Sequence, residues 1–111
     1  LSNKEHLLTN TIAAEFFPHV EFMAVQGATD KIPPKPDPQG VQLLLRTVDV
    51  LPEEVLYVGD SGIDMDTAVS AGLFPVGVSW GYRPVAELQE RGGRMLLNAP
   101  KELLSLFPDF Y

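Results

Sequence analysis

The chain has 111 residues, 45% hydrophobic and 21% charged, a composition that fits one small domain with a packed core and excludes disorder. It contains no cysteine, which excludes disulfides and Cys-ligated zinc and favours a reducing compartment, so a cytoplasmic protein is expected. The net charge of −7 comes without a basic stripe, which argues against a nucleic-acid partner and means that phosphate chemistry would need local positive charge from a lysine or a metal.

The apolar runs are short and broken by Pro or Gly, so no membrane span is expected. No basic-then-apolar leader opens the chain, and no secretory signal is expected.

In chain order, Lys4 to Phe17 reads as a helix. Leu8, Ile12 and Phe16 recur at i+4, Asn3 is the expected N-cap, and Pro18 ends the run. "VEFMAVQGA", 20–28, reads as a short apolar strand. "DKIPPKPDPQG", 30–40, holds four of the ten prolines and reads as an ordered loop. Val41, Leu44, Leu45 and Val48 have the i, i+3, i+4, i+7 spacing of a second helix. Val55 to Val58 reads as a buried strand, and Asp64 to Ala71 as a helix that Gly72 terminates. "FPVGVSWG", 74–81, is the next strand. "RPVAELQERGG" is a short helix with a glycine stop, "RMLLN" a minor strand, and "PKELLSLF" a closing helix with Pro100 near its first turn.

Strand and helix alternate, which predicts a parallel sheet with helices on both faces. Ligands in such sheets sit at the carboxyl ends of the strands. Three polar groups follow apolar runs: Ser2-Asn3-Lys4, Lys35 within Lys35-Pro36-Asp37-Pro38, and Gly59-Asp60-Ser61 with Asp64. Each alone has a bland reading: a helix cap, a solvated loop lysine, an acidic turn facing a helix dipole.

In this order the three groups resemble the haloacid-dehalogenase-type phosphatase superfamily, close to the phosphoglycolate phosphatases. "LSNK" is similar to its second motif, "KPDP" to its third and "VGDSGIDMDTAVSAG" to its fourth. "GVSWGYRPVAEL", 77–88, resembles the stretch that follows the fourth motif in phosphoglycolate phosphatases. The likeness runs from residue 1 to about 107, and the fourth motif is its most specific part.

The resemblance implies a Rossmann-like three-layer α/β/α parallel sheet and an Mg²⁺-dependent phosphomonoesterase acting on a small phosphorylated substrate. Ser2, with the hydroxyl and backbone amides of Ser2-Asn3, would hold phosphate oxygens. Lys35 would neutralise the phosphate and the nucleophilic carboxylate, its prolines at 33, 34, 36 and 38 restricting the loop that carries it. Asp60 would ligate Mg²⁺, and Asp64 would bind the metal directly or orient water or backbone around it. Lys35, Ser2 and Asp60 are expected to converge within about 10 Å.

The family's nucleophile lies in an Asp-x-Asp pair at the end of a buried strand. Asp64-Met65-Asp66 has that spacing but opens a helix, where residues two apart point about 200° away from each other. Asp66 is instead expected to face the helix dipole. Asp30, Asp37, Asp49 and Asp109 lack the strand context. The first motif is therefore expected to be absent, along with the first strand and the cap domain. Residues 1–111 then read as the C-terminal portion of a core domain, inactive alone, its sheet completed by an N-terminal segment or a neighbouring chain.

A second reading is a non-catalytic binding or regulatory module on the same fold. A response-regulator-like domain fits badly, because its acidic residues precede its lysine. His6 and His19 lack a second histidine at helical spacing and are not expected to bind metal. Trp80 and Tyr82 read as core or rim, and Glu53-Glu54 as a solvated turn.

Overall fold

The computed structural model describes residues 1–107; Asp109 lies outside them. Among the described residues three parallel strands lie in the order β1-β2-β3: β1 is Leu56–Gly59, β2 Phe74–Val78 and β3 Met95–Leu97. Leu56 is in register with Phe74 and Gly59 with Gly77; Val76 is opposite Met95 and Val78 opposite Leu97. β2 is central, and Pro75 through Val78 are buried in it. A run such as Pro-Val-Gly-Val, apolar at every position, is what burial on both faces selects.

The described residues form four α-helices, α1 (His6–Phe16), α2 (Gln39–Val48), α3 (Gly62–Ala71) and α4 (Val85–Glu90). Val41 of α2, Ala68 of α3 and Leu73 form one core cluster, against which Leu45, Val55 and Tyr57 pack. α4 covers the same face of β2, and a Cβ added at Gly77 would stand 3.2 Å from Leu88 Cδ1. On the opposite face Val76, Val78 and Leu97 form a second cluster with Leu56, Phe74 and Leu103. Alternation along the strands thus sends Tyr57 and Gly59 to the α3 side, and Leu56 and Val58 to the other.

Several boundaries differ from expectation. The closing segment Pro100–Leu106 is a 3₁₀ helix, which carries Leu103 onto the sheet. α1 starts at His6, not Lys4, and its N-cap is Glu5, whose carboxylate accepts from the Leu7 and Leu8 amides. Glu5 completes the cap because Asn3 is engaged elsewhere.

The expected strand at 20–28 does not form. One isolated bridge is found there, Glu5 with Ala28 in parallel, and another just beyond it joins Thr29 to Ile32. The Ser2 N–H donates to Gln26 O at 2.9 Å, and the Ala28 N–H to Lys4 O. Phe22 and Met23 remain exposed. A strand needs a ladder partner as well as apolar side chains, and here only the end of the segment has one.

β1 pairs with β2 alone, and no strand of the described residues pairs with its other edge. It does not pair with Phe22–Val25. No helix of the described residues is long and apolar enough to cross a membrane.

Candidate active site

The end of β1 and the start of α3 make a tight polar turn. Asp60 follows Gly59 directly, and Ser61, in extended conformation, is the α3 N-cap. Ser61 Oγ accepts the Asp64 N–H at 3.2 Å and donates to Asp64 Oδ2 at 3.1 Å. That cap takes one of the amides a helix start leaves unpaired. The Asp64 carboxylate then folds back onto the strand end, and its Oδ2 accepts the Asp60 N–H at 3.1 Å. Gly59 is required here, since a Cβ on it would lie 2.3 Å from Asp64 Cβ.

Lys35 comes to the same carboxylate from the proline-rich loop. Its Nζ lies 2.7 Å from Asp64 Oδ1, and the two side chains are 16% and 9% exposed. The loop is held by Asn3. Asn3 Oδ1 accepts the Lys35 N–H at 2.8 Å, and Asn3 Nδ2 donates to Lys35 O at 3.2 Å. Asn3 is thus an amide clasp on Lys35 and not a helix cap. Its two donor–acceptor functions match the two backbone groups of one residue.

These contacts set the charges. Burial works against an ionised Asp64, but the Lys35 hydrogen bond and charge, with Ser61 and the Asp60 amide, hold its carboxyl below the usual carboxylate range. Burial and the neighbouring Asp64 carboxylate push the Tyr57 phenol well above its ordinary value. Its hydroxyl lies 3.5 Å from Asp64 Oδ1.

Lys35, Tyr57, Asp60, Asp64 and Trp80 line one open cavity of about 620 Å³ beside β1. Ser2 and Asn3 line a small adjoining recess, and Lys35 borders both. The Ser2 hydroxyl accepts the Lys4 N–H at 3.0 Å. All five candidate residues therefore gather on one side of the molecule, with Lys35 at the junction.

The two aspartates differ in kind. Asp64 is buried, and both its oxygens are taken by protein donors. Asp60 is exposed, and its carboxylate accepts no hydrogen bond from the described residues. A carboxylate with no donor among the described residues, facing an open cavity, suits Mg²⁺, which takes one or two carboxylates and fills its remaining positions with water and substrate oxygens. Among the described residues no group of three or more His, Asp or Glu side chains is placed to hold a metal.

Asp66 points elsewhere. It lies beyond the first turn of α3, and both its oxygens accept from Arg91 Nε, at 3.0 and 2.9 Å. The expectation that it faces the helix dipole gives way to this ion pair with the residue that ends α4. His6 is structural: its Nδ1 accepts the Gly27 N–H at 3.0 Å. Glu54 closes its turn by accepting the Leu51 N–H. Trp80 is on the cavity wall, whereas Tyr82 is fully exposed.

Sequence reasoning missed three contributors: the clasping role of Asn3, the approach of Gly81 to Asp60, and Glu87. A Cβ on Gly81 would lie 2.5 Å from Asp60 Cβ. Glu87 Oε2 accepts the Gly62 N–H at 2.9 Å. The Arg83 hydrogen bond, followed by that amide, brings the Glu87 carboxyl down to about 2. Of this, the sequence carries only the i, i+4 spacing of Arg83 and Glu87.

Comparison with known proteins agrees with this geometry. The family model for haloacid dehalogenase-like hydrolases matches residues 2–78. A phosphoglycolate phosphatase of Salmonella typhimurium is 38% identical over 88 residues, which are 79% of this chain and 32% of that protein. A pyrophosphatase of Listeria monocytogenes is 26% identical over 88 residues, 79% of this chain and 41% of its own. The chain thus spans about a third of the length of the phosphoglycolate phosphatase it matches. Among solved structures, a protein of Lactobacillus delbrueckii subsp. bulgaricus provisionally named phosphoglycolate phosphatase superposes with a TM-score of 0.87 at 28% identity. That match covers 94% of this chain and 43% of the other. A haloacid dehalogenase-like hydrolase from Bacteroides fragilis, also provisionally named, gives 0.83 at 31% identity, covering 91% and 48%. The parallel sheet, the motif order and the family match agree, and the chain belongs to the haloacid dehalogenase-like hydrolase family.

Proposed function

We propose that this chain is the C-terminal part of the core of an Mg²⁺-dependent phosphomonoesterase, with 2-phosphoglycolate as the first substrate to try. One observation supports this above the others: Lys35, Asp64 and Asp60 stand together on one cavity at the carboxyl end of β1, with the Asp60 carboxylate bonded to none of the described residues. Phosphoryl transfer is catalysed chiefly by positioning and charge neutralisation. Lys35 supplies positive charge at this site in a chain whose net charge is −7. Asp64 holds that ammonium and the Asp60 amide in place. Asp60 is the protein ligand for Mg²⁺, which when bound would draw charge from the phosphate oxygens. The Ser2 hydroxyl and the Asn3 amide bind the phosphate group, while the Asn3 side chain sets the height of Lys35.

The aspartate that accepts the phosphoryl group comes, in this proposal, from a strand outside the segment, placed along the free edge of β1. Asp64 and Asp66 do not take its role, since each is committed to a cation of this chain. The segment alone is then inactive towards phosphomonoesters, because no nucleophile is available to form the covalent intermediate. The cysteine-free composition supports a cytoplasmic location.

The test is phosphate release by the protein translated from the whole reading frame. Small phosphomonoesters, 2-phosphoglycolate among them, and pyrophosphate are offered with and without Mg²⁺. Metal-dependent release is expected from at least one phosphomonoester. No release from any of them, together with an upstream sequence lacking an apolar strand followed by Asp-x-Asp, replaces the enzyme with a non-catalytic binding module.

A further inference from the structure

The turn that carries Asp60 is braced from two sides. From within, Asp64 and Ser61 hold it. From outside, α4 reaches across the α3 N-terminus. The Glu87 carboxylate accepts the Gly62 N–H across 25 positions of sequence. This is one of the amides that a first helical turn cannot satisfy internally, and an ionised carboxylate is the stronger kind of acceptor for it. Arg83 grips the same carboxylate, its Nε lying 3.1 and 3.0 Å from the two oxygens.

Arg83 and Glu87 flank the carboxyl side of the loop that follows β2, and Gly81 of this loop rests on Asp60. A Cβ at position 81 would meet Asp60 Cβ at 2.5 Å and Oδ2 at 2.6 Å. The room around Gly62 is equally small, with Arg91 Cγ at 2.9 Å and Glu87 Cγ at 3.0 Å from a would-be Cβ. Arg91 is itself tied to Asp66 of α3. The free face of Asp60 is therefore bounded by the Gly81 backbone, which lies four positions before the start of α4.

We propose that Glu87 is a positioning residue for Asp60: it fastens the Gly81 loop and the Gly62 amide together, and so sets the direction in which the Asp60 carboxylate meets a divalent cation. The inference rests on the reading of Asp60 as the metal ligand. A mere surface pair at i, i+4 would leave Asp60 untouched. The bond to Gly62 and the contact of Gly81 are what separate the two cases.

The experiment uses Mn²⁺ as a paramagnetic probe in the full-length protein, following the amide resonances of Asp60, Ser61 and Gly62. Four proteins are compared: wild type, Asp60→Asn, Glu87→Ala and Glu87→Gln. Asp60→Asn is expected to abolish the local broadening. Glu87→Ala is expected to raise the Mn²⁺ concentration for half-broadening three- to tenfold, with little change in melting temperature. Glu87→Gln, which keeps shape and an acceptor oxygen, is expected to fall between wild type and Glu87→Ala, and it serves alone if Glu87→Ala does not fold. Broadening abolished by Asp60→Asn but unchanged in both Glu87 variants overturns the role of Glu87 and leaves the metal reading standing. Broadening that survives Asp60→Asn overturns the metal reading, and the role of Glu87 with it.

Discussion

The Lys35 ammonium lies 2.7 Å from Asp64 Oδ1, joining the proline-rich loop to the first turn of α3 across 29 positions of sequence. Both side chains are largely withdrawn from water, so neither can lose its partner cheaply. Lys35→Met leaves a buried carboxylate facing an apolar side chain, and we expect a loss of about 2–3 kcal/mol of folding stability. The double variant Lys35→Met/Asp64→Leu should lose less than the sum of the two single changes. Urea denaturation of the four proteins checks this. Additive losses would mean that the pair is not coupled.

The same pair predicts a pH dependence. The Asp64 carboxyl is held below its ordinary value of 3.8 in the folded state. The unfolded state therefore binds more protons wherever the two forms differ. Its stabilisation is complete above the ordinary carboxylate range and is lost as pH falls through the depressed folded value. Melting temperature should drop between pH 5 and the acid limit, and Asp64→Asn should flatten that part of the curve. Equal acid slopes in the two proteins would contradict the assignment.

Gly59→Ala should act through Asp64. The added Cβ would stand 2.3 Å from Asp64 Cβ, so the α3 first turn has to shift. Overpacking of this kind costs about 1–3 kcal/mol, and here the shift also stretches the Lys35 contact. The expected result is a lower unfolding midpoint together with a changed chemical shift at the Lys35 Nζ resonance. A midpoint change without a Lys35 effect would limit the role of Gly59 to packing.

Leu88 tests the support beneath the site. It is fully buried, and it carries α4 onto Gly77 of the central strand. Leu88→Ala should cost about 2–5 kcal/mol. A loss under 1 kcal/mol in urea denaturation would show that α4 is not packed as described.

Much of the site was legible because its residues stand immediately after apolar runs. Asp60 follows β1, and Lys35 lies in a loop marked by its prolines. The failures have physical causes. Asn3 has the chemistry of an N-cap, and only three-dimensional structure reveals that the Lys35 backbone competes for it. The segment 20–28 has strand composition but lacks a partner for its ladder. Asp66 has the dipole partner's charge, but its position in the second turn and the distant Arg91 decide its contacts. Glu87 and Gly81 were illegible for a similar reason: their targets, Gly62 and Asp60, are about twenty to twenty-five positions away and follow no periodic spacing.

The account rests on Asp60 as the carboxylate offered to Mg²⁺, and an Mg²⁺ titration of phosphomonoester hydrolysis by the full-length protein tests it most directly. Asp60 is exposed and its carboxylate accepts from no donor among the described residues, so Asp60→Asn should leave stability within about 0.5 kcal/mol of wild type. Turnover in that variant should fall at least a hundredfold, and the remaining rate should need far more Mg²⁺ to saturate. Wild-type turnover with an unchanged Mg²⁺ midpoint in Asp60→Asn would contradict the account.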